Sequence, residues 1–320
     1  MRRAVWRWAS ILGPAATLAV VVWRLGTGPF IDGVRTVNGG ALTAGAGIAL
    51  LTTVCCAWRW KVVASGLGVK LSLPRAVAAY YRSVFLNVTL PGGIVGDVHR
   101  GISHGREVRD VSRALRGVAW ERSAGQVVQA VVTVAVLLVL PSSVHSSMLP
   151  AGLAVLAASL GVVLLLRSRR TDGRSALTRL RGAAARDIRD ALLARRAWPV
   201  IVVASALVVA GHVATFLIAA RTAGSTAPLS EMLPIAFLVM AAMVLPSIGG
   251  WGPREGVTAW AFGAAGLGAH RGVSAAVVYG VMVFVASLPG AAVLVAAWLR
   301  GTRLPRRPER QRFEEGVVHA

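Results

Sequence analysis

The chain has 320 residues, of which 55% are hydrophobic and only 15% charged, and its mean hydropathy is +0.64; a soluble domain carries roughly a quarter charged residues, so an ordinary soluble fold is excluded. Its two cysteines, adjacent at Cys55 and Cys56, exclude a disulfide scaffold and read as small apolar fillers. The 35 Lys and Arg against 13 Asp and Glu give a formal charge of +22, which suits either a nucleic-acid binder or a polytopic membrane protein with basic cytoplasmic loops.

The positions of the charges decide between these classes, because they lie between apolar runs. A bilayer-spanning helix needs about 20 mostly apolar residues. Taken in chain order, such runs cover Ala9–Trp23, Ala41–Trp58, Val118–Leu140, Met148–Leu166, Trp198–Ala220 and Val273–Leu299. The basic start of the first imitates a signal peptide, but Val21, Val22, Trp23 and Arg24 offer no small-residue cleavage site, so it reads as an uncleaved span. Trp6, Trp8, Trp23, Trp58, Trp60, Trp198 and Trp298 fall near run ends, where indoles favour the headgroup layer. The segments from Arg59 to Arg116 and from Arg167 to Arg196 are strongly basic, whereas Pro141–Ser147 carries no Asp, Glu, Lys or Arg. By the positive-inside rule both termini are cytoplasmic. Nucleic acid is thereby dropped as a partner, and the basic loop 167–197 is expected to lie against anionic lipid. Residues 301–320 read as a flexible basic tail.

Two further apolar segments, around Val84 to Val98 and from Met232 to Gly268, must each begin and end on one side of the membrane. Each is a re-entrant hairpin or a pair of spans. Both are interrupted, the first at Pro91, Gly92, Gly93 and Gly96, the second at Pro246, Gly249, Gly250, Gly252 and Pro253. The expected fold is therefore all-α: six full spans plus two broken hairpins, or eight spans, in one transmembrane domain over residues 1–300. Residues 1–140 and 148–300 read as two units with three crossings each, an odd number that makes the second inverted relative to the first. Interrupted segments at matching positions of inverted repeats point to a transporter whose site lies where the repeats meet.

An ionised side chain at the bilayer centre costs about 2.5 to 3.5 kcal/mol on insertion scales, so it normally faces a partner or a cavity. Asp97 and Arg100 follow the first break, Glu121 and Arg122 open the next span, and Arg254 and Glu255 follow the second break. Pro253 suits the first turn of a new helix, whose N-terminus would favour an anion. At about 100° per residue, Arg122, Gln126, Gln129 and Thr133 fall within about 60° of arc on one helix face. That stripe either lines a groove or hydrogen-bonds a neighbouring helix. His212, mid-span with Ser205 on nearly the same face, reads as a packed, hydrogen-bonded histidine. His99 and His104 lack metal-site spacing. No phosphate loop, metal-binding His pair or nucleophile elbow is present, so neither a cofactor nor a metal is expected.

In that order, Leu90, Pro91, Gly96, Asp97 and Arg100, then Glu121 and Arg122, then Pro246, Gly249, Gly250, Gly252, Arg254 and Glu255 resemble the flippase-like membrane family related to the transmembrane region of lysylphosphatidylglycerol synthases. The resemblance implies two broken elements around a central cavity through which a lipid headgroup changes leaflet. Asp97, Arg100, Glu121, Arg122, Arg254 and Glu255 would line or gate it. The arginines would engage phosphate, and the acids would hold those arginines or meet a cationic headgroup. The larger synthases carry a soluble aminoacyl-transferase domain for which the sequence to Ala320 has no room, so the expectation is a transporter of a phospholipid or polyprenyl-phosphate rather than an enzyme. A membrane-embedded enzyme acting on polyprenyl-linked sugars and a non-transporting regulatory subunit remain the alternatives. The setting expected is a bacterial plasma membrane, with an anionic lipid as substrate and a homo-oligomer allowed.

Overall fold

A computed structural model describes residues 2–139, 182 and 184–302. The expected span Met148–Leu166, the segment Pro141–Ser147, the first part of the basic loop 167–197 and the tail from 303 onward lie outside the described residues. Among the described residues there are ten α-helices and no strand longer than an isolated bridge, so the chain is an all-α polytopic membrane protein.

The first unit begins with α1 (Arg2–Leu25) and α2 (Gly28–Thr36). The expected span Ala9–Trp23 lies within α1, whose boundaries extend beyond it to Arg2 and Leu25, and past Leu25 the chain bends by 96° into α2. Gly26 takes φ +73° at the bend, a conformation nearly free of cost only for glycine, and Pro29 sits in the first turn of α2. A helix-length run from Gly39 to Gly66 forms α3, with Asn38 Oδ1 accepting from the Ala41 amide at 2.8 Å as an N-cap. Here too the boundary moves: α3 continues eight residues past Trp58, carrying Arg59 and Trp60 inward. Both are buried, Trp60 fully, so Trp60 is a packing residue rather than a headgroup-layer indole and Arg59 does not belong to a solvated loop. By contrast Trp23, Trp58, Trp198 and Trp298 are exposed.

Next come α4 (Leu73–Thr89) and α5 (Val95–Glu107), joined across the first break, and α6 (Val111–Val139). After a π-helical turn at Ile188–Leu192, the second unit supplies α7 (Trp198–Thr222), α8 (Leu229–Ala242), α9 (Pro253–Ala264) and α10 (Ala269–Thr302). By length and composition α3, α6, α7 and α10 can each cross a membrane, and the bent pair α1–α2 makes a fifth candidate. In contrast α4, α5, α8 and α9 have 17, 13, 14 and 12 residues. At about 1.5 Å per residue the longest spans about 25 Å, short of a hydrocarbon core of about 30 Å. Each pair is thus a hairpin that turns back at its Pro/Gly break.

The two breaks meet each other. Pro91 and Ile248 form an antiparallel bridge, and the Gly92 amide donates to the Ser247 carbonyl at 2.8 Å. Gly92 and Gly93 at φ +101° and +66°, and Gly249 and Gly250 at +56° and +80°, provide the reversals. Non-helical backbone at membrane depth is tolerated where protein satisfies its polar groups, and here the two tips do so for one another.

Packing relates the units. When α3 is exchanged with α7, α4 with α8, α5 with α9 and α6 with α10, the close pairs map onto one another: α3–α4 onto α7–α8, α3–α6 onto α7–α10, α4–α10 onto α8–α6 and α5–α6 onto α9–α10. The pair α3–α7 maps onto itself. The largest apolar cluster, including Phe216, Met232, Phe262, Tyr279 and Met282, joins α7 through α10; a second, around Trp60, Ala76, Tyr80 and Val118, joins α3, α4 and α6. Polar side chains gather between them.

Candidate functional site

Glu121 on α6 is the hub of the first polar cluster and is completely buried. Its Oε1 accepts from Arg59 Nε at 2.9 Å, Arg59 Nη2 at 2.5 Å and the Tyr80 hydroxyl at 2.9 Å, while its Oε2 accepts from Arg100 Nη2 at 2.6 Å. Asp97, in the first turn of α5, accepts from Arg100 Nε at 3.0 Å, Ser83 Oγ at 3.1 Å and Asn87 Nδ2 at 2.8 Å, and pairs closely with Arg122 Nη2. Arg100 is stacked over Tyr80 and Trp60, with its guanidinium carbon 4.2 and 4.6 Å from the ring centroids. Arg59 also donates to Ser205 Oγ on α7 at 2.8 Å.

The local sequence makes this network feasible. Gly125, one turn after Glu121, leaves the space that the Arg59 guanidinium fills; a Cβ there would lie 2.8 Å from Arg59 Nη1. Gly96 lets α5 press against the Ser83 backbone carbonyl, and its amide donates to Asn87 Oδ1 at 2.8 Å. A buried guanidinium is tolerated only when paired and hydrogen-bonded. Among Arg59, Arg100, Arg122, Asp97 and Glu121, three cations face two carboxylates, so the cluster is one negative charge short of balance.

Beside this cluster lies a central cavity of about 230 Å³ between α3, α4, α6, α7 and α10. Arg59, Tyr80, Arg122, Gln126, Gln129, Ser205 and His212 give it a polar wall, and Ile48, Val84, Val208, Val209 and Met282 an apolar one. The Arg122 side chain is 41% exposed and its Nε has no hydrogen-bond partner. Gln129 both lines the cavity and donates to the Met240 carbonyl at 2.9 Å, satisfying one of the last carbonyls of α8 that the helix itself leaves open. His212 Nδ1 lies 3.1 Å from the Tyr279 hydroxyl.

The second cluster is smaller. Arg254 Nε and Nη2 donate to Glu255 Oε1 at 2.9 and 2.5 Å, and Glu255 Oε2 accepts from the Gly252 amide at 2.7 Å. Here too an arginine lies near a Trp and a Tyr, 5.4 Å from Trp251 and 5.3 Å from Tyr279, and Gly280 makes room for it. Arg254 borders a cavity of about 480 Å³ at the meeting point of the hairpin tips, with Thr89, Ser247, Trp251 and Phe284. Two expectations change as a result. Glu255 occupies the N-terminus of α9 that was read as open to an anion. Moreover, of the six acids and arginines assigned to one cavity, Arg122 reaches the central cavity, Arg254 borders the second and Arg100 a third, while Asp97, Glu121 and Glu255 are turned into arginine pairs.

Gln126 and Gln129 stand with Arg122 on the cavity wall. Thr133, last of that stripe, is buried with no partner for its Oγ1. Sequence reasoning missed Arg59, Tyr80, Ser83 and Asn87. Arg59 had a usable signal: Thr52, Cys56 and Arg59 recur at i, i+4 and i+7, one face of a helix that continues past Trp58. Cys55 and Cys56 are free thiols, Cys55 buried and Cys56 half-buried. Among the described residues no group of three or more His, Cys, Asp or Glu is placed to hold a metal ion.

No curated protein matches the chain. A family model described as the lysylphosphatidylglycerol synthase TM region matches residues 8–290. With most of its length matched, and with hairpin breaks, buried arginine pairs and a polar central cavity carried on apolar helices, the chain belongs to the lysylphosphatidylglycerol synthase TM region family.

Proposed function

We propose that the protein is a lipid translocase that passes the headgroup of a phospholipid or polyprenyl-phosphate through the central cavity while the apolar tail stays in the bilayer. The observation that carries this reading is the charge imbalance at the cavity wall. Arg59, Arg100 and Arg122 share only Asp97 and Glu121, and the one guanidinium with substantial exposure, Arg122, faces the cavity. A phosphate group would supply the missing charge, and a planar guanidinium can offer it paired donors. Gln126, Gln129 and Ser205 supply neutral hydrogen-bonding groups along the same wall, suited to a substrate that must be released as well as held.

The work assigned to these residues is transport, not covalent chemistry, in the plasma membrane of a bacterium, with an anionic membrane lipid as substrate. Reconstitution into vesicles with fluorescent phosphatidylglycerol, phosphatidylethanolamine or a polyprenyl-phosphate in one leaflet tests it. Accelerated transfer of at least one phosphate-bearing lipid, measured by reduction of the outer-leaflet fluorophore, is the expected result. Transfer no faster than in protein-free vesicles for all three would refute the reading.

A further inference from the structure

A third cavity, of about 510 Å³, lies away from the central one, among residues of α4 and α5, Trp60 near the inner end of α3, Leu71 in the connection that follows α3, and the last turns of α10. All of these fall at ends that the positive-inside pattern places toward the cytoplasm. Val293 and Ala297 of α10, with Leu71, give it an apolar lining. Arg75 and Arg82, on one face of α4 with Ala78 and Ala79, and Arg100 and His104 of α5 give it a basic one, with Glu107 as the lone acid.

Three of these basic groups each carry a buried nitrogen without a partner. Arg100 is 1% exposed, and while its Nε and Nη2 are engaged by Asp97 and Glu121, its Nη1 has no hydrogen-bond partner. His104, 7% exposed, has its Nδ1 3.8 Å from Glu107, and its Nε2 is unpartnered. Arg82 Nε is a third buried donor without a partner. Leaving buried donors unmade costs about 1 to 3 kcal/mol each, more for charged groups. Three of the buried unpartnered side-chain donors among the described residues thus lie on one cavity, which marks a place suited to receive acceptor oxygens.

We infer that this cavity is a second binding site, specific for a phosphate group, in which Arg75, Arg82, Arg100 and His104 hold the phosphate oxygens and the α10 wall takes apolar chain. The apolar wall favours a phosphodiester carrying acyl chain over free phosphate, so the site would hold an inner-leaflet lipid before or beside the central cavity. Through Arg100, which Asp97 and Glu121 also hold, its occupancy reaches the central network.

The test uses the full chain in detergent with Arg122→Gln as background, which removes the exposed arginine of the central cavity and so separates this site from the translocation reading. Dihexanoyl phosphatidylglycerol, dihexanoylglycerol and inorganic phosphate are titrated separately, and binding is read by calorimetry. Saturable binding of the phosphatidylglycerol, absent for dihexanoylglycerol and weakened at least ten-fold by Arg75→Gln with Arg82→Gln, is expected. Arg82→Lys, which keeps the charge, should recover part of that loss and guards against a folding defect. If inorganic phosphate binds as tightly as the lipid, with the same dependence on Arg75 and Arg82, the phosphate site stands and its ligand is the soluble ion. Binding that is unsaturable, or unchanged in the Arg75→Gln, Arg82→Gln variant, would overturn the site.

Discussion

The two hairpins use the same parts with opposite electrostatic outcomes. Beside each, an arginine is set near a Trp and a Tyr, a glycine on a neighbouring helix makes room for a guanidinium, and an acid lies in the first turn after the break. At the second hairpin one arginine meets one glutamate, the other carboxylate oxygen caps the helix, and the charges cancel. At the first, three arginines share two acids, and the least buried of the three lies on the cavity wall. What distinguishes the two poles is therefore the balance of arginines to carboxylates, three to two at the first and one to one at the second, since the helical frame around them is alike.

That contrast can be broken most severely at Glu121. In the Glu121→Gln variant Arg59 and Arg100 both lose a carboxylate inside the protein, and removing one partner of a buried pair costs about 3 to 5 kcal/mol; the upper end is expected, read as loss of thermal stability in detergent. At the opposite pole Glu255→Gln strands a single arginine and weakens one helix cap, so a loss near the lower end, about 3 kcal/mol, is predicted from the same measurement. Equal losses at the two positions would remove the distinction. Gly96→Ala tests the frame rather than the charges. A Cβ there collides with the Ser83 backbone, and the forced shift between α4 and α5 should cost about 1 to 3 kcal/mol. The smallest effect is expected for Gln129→Ala, which removes one interhelical hydrogen bond to Met240, about 0.6 to 1 kcal/mol in a membrane protein.

Much of the frame was legible in the sequence because the bilayer limits the alternatives: long apolar runs must be helices, and their charged flanks set orientation. Hence α3, α6, α7 and α10 lie where the runs are, and the Pro/Gly breaks mark the hairpin tips. The 96° bend at Gly26–Thr27 was not legible, because apolar periodicity carries no information on the angle between successive helices. Members of the buried polar cluster were legible where a charge stood beside a break, as with Asp97 and Arg100, or opened an apolar span, as with Glu121 and Arg122. Arg59 escaped because an arginine next to a Trp at the end of an apolar run has the pattern of a membrane boundary. Only the packing of α3 against α6 and α7 reveals that it turns inward to Glu121 and Ser205. Which acids face a cavity and which face an arginine is likewise a property of side-chain direction, absent from spacing alone.

The role proposed for Arg122, offering its guanidinium to a phosphate headgroup in the central cavity, is decided by vesicle transfer of a fluorescent phosphate-bearing lipid by the Arg122→Gln protein. Transfer at least ten-fold slower than by the unmodified chain is expected, in a protein that still inserts and folds, because Asp97 keeps Arg100, Ser83 and Asn87 as partners. Transfer at the unmodified rate in a stably inserted Arg122→Gln protein would contradict it.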